Sequence, residues 1–233
     1  MKKLGILIFI FALILGIVVT NMFSFGQAAS SMFHFNFDWK GAKGSGNVIT
    51  DRRDLSGFHG VDVGGVYQVE ITAQKEYSVT VETDDNLAAL VKTEVNGGIL
   101  QISSEGRISP KSTIRIKIGA PDIDSLQVSG VAYVTVNDLK NSAISIDSSG
   151  ASKISVSGET AKLTVDVSGA TKVDANELKT ENANVEATGA SNVSVNVSGT
   201  LKAEASGASH VTYSGTPTTV QKNTTGVGSI TQR

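Results

Sequence analysis

The chain has 233 residues, 18% charged, 40% hydrophobic and 6% aromatic, and its 20 Lys and Arg against 22 Asp and Glu leave a net charge of −2. Without a basic excess there is no stripe to track phosphates, so nucleic acid is disfavoured as a partner. Cysteine is absent, which excludes a disulfide framework, a thiolate metal site, a Cys nucleophile and a lipidated N-terminal Cys. Met1-Lys2-Lys3 followed by the apolar run Leu4–Val19, then Gly26 and Ala28 at the −3 and −1 positions of a cut after Ala28, reads as a secretory signal over 1–28. The competing reading is a retained membrane anchor helix. As a helix, Leu4–Val19 spans about 24 Å, short of a roughly 30 Å hydrocarbon core. In either case the remainder is exported. Phe33, Phe35, Phe37 and Trp39 then alternate at period two, as in an edge strand or an interfacial aromatic patch just outside a membrane, a strand or flexible linker being favoured. Gly41–Gly46 closes a linker expected over 29–46.

The folded domain is expected over 47–233. All eight Phe and the single Trp lie at or before Phe58. Beyond it the apolar residues are nearly all Val, Ile, Leu and Ala, which suits a thin, repetitive β structure better than a thick globular core. Residues 47–124 form its irregular part. Gly65–Ile71, Ser78–Glu82, Ile99–Ser103 and Thr113–Ile118 alternate as strands, Asn96-Gly97-Gly98 signals a hairpin, and Asp85–Val91 allows one or two helical turns. Pro121 stops the preceding strand. This half reads as a cap, or irregular first portion, of the repetitive stretch that begins at 125.

From 125 to 233 the chain repeats itself. The pattern small-Gly-Ala/Val-x-x-Val/Ile begins at Ser129, Ser149, Ser168, Thr188, Ser206 and Thr225, at intervals of 20, 19, 20, 18 and 19 residues. A fixed period of this size is the signature of a solenoid. Two apolar columns align through the copies: Leu126, Ile146, Val165, Val185, Ala203 and Lys222 before the Ser/Thr, and Val134, Ile154, Val173, Val193, Val211 and Ile230 after it. The glycine column Gly130, Gly150, Gly169, Gly189, Gly207 and Gly226 marks a corner needing positive φ or close backbone approach. The Ser/Thr beside it can hydrogen-bond the turn backbone or its own copies on neighbouring coils. The expectation is an all-β, right-handed β-helix-like solenoid of 18–20-residue coils, six of them across 125–233. A Ser/Gly-rich β-sandwich is the runner-up.

Several of these residues together resemble the putative auto-transporter adhesin "head GIN" domain family of bacterial envelope proteins. The resemblance covers Gly46 to Arg233. It rests on Asn47-Val48, Arg53–Phe58, the Val-Gly-Gly-Val-Tyr-x-Val-Glu-Ile segment at 63–71, Ala120-Pro121-Asp122 through Leu126, and the repeated Ser-Gly-Ala. It implies an exported, all-β stack with an adhesin-like role. One departure is that the aromatic girdles of a C-terminal membrane barrel have no counterpart after Phe58.

Catalysis by a secreted β-helix would need clustered carboxylates, often with Arg, Lys or a metal. The repeats offer one acidic column, Asp147, Asp166, Glu186 and Glu204, flanked by Gln127 and Asn223. It is the one metal candidate, and its simpler reading is a solvated strand face with Lys162 and Lys202 nearby. His59 beside Arg52, Arg53 and Asp54 reads as a solvated turn. Asp84-Asp85-Asn86 lacks calcium-loop spacing, and no Gly-x-Ser-x-Gly elbow has a His partner. The expected function is therefore non-catalytic and cofactor-free: an adhesin, scaffold or surface-binding module of the cell envelope. Its ligand would be an envelope glycan or protein, with membrane contact only through an uncleaved N-terminal segment. The alternative is a carbohydrate-active β-helix enzyme using part of the acidic column.

Overall fold

The structure, a computed structural model, describes residues 41–233. The signal, its cleavage site, the anchor alternative and the aromatic alternation at 32–40 lie outside the described residues. Within them the chain winds into a parallel β-solenoid of about five turns. Six Ser/Thr-Gly corners bound five complete coils of the repeats, and Ser125–Val128 before the first corner and Ser229–Gln232 after the last make up the sixth.

Two parallel ladders run the length of the stack and meet at these corners. The first joins Gly60–Val63, Ser125–Val128, the second halves of Val131–Ser148, Lys153–Val167 and Lys172–Ala187, then Thr200–Gly207 and Thr219–Gly226. The second joins Arg115–Gly119, Val66–Thr72, the first halves of the same three long strands, then Asn192–Val197, His210–Ser214 and Ser229–Gln232. Each long strand passes from one ladder to the other through a register shift, as between Val136 and Leu139. Parallel pairing throughout the repeats excludes the β-sandwich, whose hairpins would be antiparallel.

Both apolar columns read from the sequence are ladder registers. Leu126, Ile146, Val165, Val185 and Ala203 pair in succession, and so do Val134, Ile154, Val173, Val193, Val211 and Ile230. All of these are buried. Burial of one such side chain is worth about 1.5–3 kcal/mol, so every coil adds its own apolar layer to a narrow core. Period-two alternation puts the intervening residues on the outside.

The corners show why glycine recurs. At Gly130 and Gly150 the reason is close approach: an added Cβ would lie 2.1 Å from Gly65 O and 2.0 Å from Gly130 O. At Gly169, Gly189, Gly207 and Gly226, φ is +97°, +85°, +74° and +79°, in the left-handed region. The hydroxyls that bond these corners are not the ones beside the glycine. Ser149, Ser168 and Thr188 are exposed, whereas Ser152, Thr171 and Ser191 are buried and donate to the carbonyls of Gly130, Gly150 and Gly169 one coil below. The residue two places after the glycine is therefore the stitching position. A polar side chain is tolerated inside because each has an acceptor waiting.

Residues 42–124 extend the stack out of sequence order. Gly60–Val63 and Val66–Thr72 form a coil lying between the repeats on one side and Ile99–Ser104 with Arg115–Gly119 on the other. Antiparallel strands then seal the exposed edges. Val91–Asn96 covers Ile99–Ser104 through a two-residue turn with φ +57° and +80° at Gly97 and Gly98, while Ser78–Asp84 covers Arg115–Gly119 and is itself paired by Val48–Arg53. Covering an edge removes a template for unwanted pairing. The expected helical turn is the 3-10 segment Asp85–Leu90.

At the opposite end protection is chemical. Thr219–Gly226 is exposed along its whole length. Lys222 holds the apolar-column position there, yet its ammonium lies 4.6 Å from the centroid of the Tyr213 ring and 3.3 Å from Ile230 O. A polar last coil with a charge folded over the core end caps a solenoid and discourages end-to-end growth.

Candidate functional site

The described residues enclose no deep pocket with convergent chemistry; the surface consists of ladders and shallow grooves. The acidic column is in register: Asp147 pairs with Asp166, Asp166 with Glu186, and Glu186 with Glu204. It continues through Gln127 to Asp62, and at the other end to Asn223. A groove of about 320 Å³ runs along Asp62, Asp147 and Asp166. The column is a row, not a cluster. Among the described residues no three His, Asp or Glu are disposed to hold a metal ion.

Local contacts modulate the row. Lys202 Nζ lies 3.0 Å from Glu204, and Ser145 donates to Asp147 at 3.2 Å. The hydrogen bond to Glu204, its charge and that of Glu186 push the Lys202 ammonium up. Burial pushes the Asp62 carboxyl up, and its ladder neighbours are Gln127 and Gln101. Parallel strands about 4.8 Å apart place successive carboxylates where each pair repels by roughly 0.9 kcal/mol even in bulk water. Neutralising the middle of the row with Asp166→Asn and Glu186→Gln should therefore raise Tm at low salt. The gain should shrink toward zero near 0.5 M NaCl as screening takes over. Thermal melts at the two salt concentrations check this, and an unchanged Tm at low salt would show the row to be fully solvated.

The other sequence candidates part company. Arg53 pairs with Asp51 at 2.9 Å and donates to the carbonyls of Ala88 and Val91, whereas His59 bonds Asp124 at 2.8 Å. They tie the cap together rather than form one site. Asp84-Asp85-Asn86 has its own task. Buried Asp84 accepts from the backbone amides of Gly46, Lys111 and Ser112, Asp85 accepts from the Ser45 hydroxyl, and Asn86 donates to Lys43 O. These bonds pin Gly41–Gly46, expected as linker, onto the domain, where Ala42–Lys43 also pairs with Ile108–Ser109.

The second ladder carries a row that sequence reading did not assemble. Arg115, Gln68, Tyr133, Lys153, Lys172, Asn192 and His210 are successive outward neighbours. Residues 68 and 115 belong to the irregular half, so only the tertiary winding sets them in line with the repeats. Two further grooves, of about 670 and 690 Å³, are lined by mixed charges such as Lys75, Lys117 and Glu70 in one and Lys140, Lys179 and Glu159 in the other. No His lines either of them.

Against known proteins, the family profile described as "Putative auto-transporter adhesin, head GIN domain" matches residues 57–217. The chain belongs to this family. Among solved structures, a putative adhesin from Bacteroides fragilis is similar over 83% of this chain and 100% of its own, at 20% identity and TM-score 0.71. A putative adhesin from Parabacteroides merdae covers 82% and 98%, at 18% identity and TM-score 0.55. A putative lipid binding protein from Parabacteroides distasonis covers 83% and 100%, at 20% identity and TM-score 0.52. At these identities the likeness shows the shared solenoid. No curated protein matches the chain. For this head GIN member, the family suggests a surface or envelope protein, and the outer surface of the described residues offers rows of side chains.

Proposed function

We propose that this head GIN protein is a non-catalytic recognition module of the bacterial cell envelope, exported and displayed, that holds its ligand along the outer faces of the solenoid. The observation that supports it best is the pair of in-register ladders, one acidic and one basic and aromatic, with no convergent catalytic set among the described residues. A family of putative adhesins agrees with this reading.

The test uses the purified protein in two assays. Immobilised protein should retain material from envelope fractions or on a glycan array, and incubation with a polysaccharide panel should release no reducing ends. Release of reducing ends that is abolished by Asp166→Asn with Glu186→Gln would replace this reading with the enzyme alternative.

A further inference from the structure

The outward row of the second ladder has the composition of a binding track, and the geometry points to a linear, uronate-bearing polysaccharide as its ligand. The inference rests on the recognition-module reading and names the class of ligand and the face that holds it. From Arg115 to His210 the row makes six steps, about 29 Å at the spacing of parallel strands. A track this long and shallow suits an extended polymer bound along its length, since small ligands need concave pockets that bury most of their surface.

Its chemistry narrows the choice. Tyr133 is 63% exposed, with Val131 and Val66 beside it at 50% and 67%; Val131 and Val66 are themselves ladder partners. An open phenol ring flanked by two valines is an apolar platform in the middle of a polar sheet. The C–H face of a pyranose ring can lie on it, and Tyr binds at low entropic cost with a polar tip still free. Lys153 and Lys172 follow on the next two coils. Neither makes an ion pair among the described residues, whereas Arg115, at the far end, is already held by Glu82 at 2.7 Å.

Acids next to the track are few. Both stand one column over, Asp174 between Ser155 and Ser194, with an Asn176 side-chain donor at 2.7 Å, and Glu70 in line with Thr135. That neighbouring column also presents Ser155, Ser194 and Thr212, hydroxyls suited to sugar hydroxyls. The acidic row occupies the other ladder, so the molecule repels an anionic chain there and accepts it here. Segregated charge of this kind selects the face as well as the ligand.

The probe is polygalacturonate, compared with the same polymer methyl-esterified to remove its charge, by isothermal titration calorimetry at 50 and 500 mM NaCl. Polygalacturonate should bind the wild type, more weakly at high salt. The Lys153→Ala, Lys172→Ala double variant should bind it about tenfold or more weakly, on the scale of losing two charge-assisted contacts. Tyr133→Ala should weaken binding of charged and esterified polymer alike. Asp166→Asn with Glu186→Gln should bind no less tightly, and the lysine and tyrosine variants should keep the wild-type Tm within a few degrees, since they change exposed side chains.

Several results overturn the inference: equal binding of charged and esterified polymer, wild-type affinity in the double lysine variant, or equal affinity for polyuridylate. Envelope retention without polygalacturonate binding removes it and leaves the recognition module standing. Retention of neither removes both. Concentration-dependent self-association lost in the lysine variant, with no polymer bound, would reassign the row as a contact between two copies of this chain.

Discussion

Gly150→Ala should destabilise the protein by more than about 3 kcal/mol, a large effect for one methyl group. Its φ lies outside the left-handed region, so the backbone itself would accept alanine. The obstacle is the coil beneath: the added Cβ would sit 2.0 Å from Gly130 O and 3.0 Å from its carbon. That carbonyl cannot simply retreat, because it accepts from Ala151 N at 3.1 Å and from the Ser152 hydroxyl at 3.1 Å. Relieving the clash means prising two coils apart and losing bonds in a half-buried, closely packed corner. Gly97→Ala is the contrasting variant. Nothing lies within 4 Å of its Cβ, and φ is +57°, so it should cost only the roughly 1–2 kcal/mol of a left-handed non-glycine residue. Urea titrations would rank the two, and hydrogen exchange would show whether opening starts at the coils on either side of Gly150, as nearest-neighbour stacking requires. If Gly150→Ala proved no worse than Gly97→Ala, close coil approach would not be what holds the corner column to glycine.

The second large effect concerns the cap. Asp84→Asn should release Gly41–Gly46 and the 111–112 loop, with exchange at the amides of Gly46, Lys111 and Ser112 rising more than about tenfold. The carboxylate is an acceptor-only group facing three backbone donors. An asparagine must turn its own N–H₂ toward at least one of them. Burial pushes the Asp84 carboxyl up, but the amides of Lys111, Ser112 and Gly46 and the Ser112 hydroxyl outweigh it and hold the group below the ordinary range. A folded value below the unfolded one means stability that is whole above the ordinary value of 3.8 and is lost as pH falls through the depressed folded value. Asp85, lowered chiefly by its Ser45 hydrogen bond, has the same sign. Asp62, raised by burial, has the opposite sign: its contribution is present in acid and lost as pH rises through its folded value. The cap of the wild type should therefore loosen below about pH 4. In Asp84→Asn most of that acid limb should be absent because the cap is already loose at neutral pH. Exchange measured between pH 3 and 7 distinguishes the two. A variant as well protected as wild type would mean that strand pairing alone holds the first segment.

Head GIN architecture was legible from 125 onward because a parallel solenoid turns its period directly into contacts. When each coil stacks on the next, a residue 18–20 places away is the ladder neighbour. Columns read in the sequence, from Ile146 through Ala203 and from Val134 through Ile230, thus became pairs in space. The same local logic identified the Gly97-Gly98 hairpin, since its positive φ values are a property of the turn itself. Even so, one hydroxyl column was misplaced. Ser152, Thr171 and Ser191 look interchangeable with their neighbours in a Ser/Thr-rich chain, and only burial against the carbonyl of the coil below tells them apart.

Residues 42–124 obey no period, so their partners had to come from the tertiary structure. That Gly60–Val63 lies between Ile99–Ser104 and Ser125–Val128 is a matter of winding order. The antiparallel cover over the first coil and the role of Asp84 depend on that order. So does the outward track, because Arg115 and Gln68 join Tyr133, Lys153 and Lys172 only once the irregular half is stacked beneath the repeats. The sequence by itself determined the solenoid, its coil length and its two core columns, through spacing that every coil repeats. Which edge is sealed, which polar groups hold the cap and which side chains share an outer face were decided by contacts between segments of unlike sequence, where no spacing carries the information.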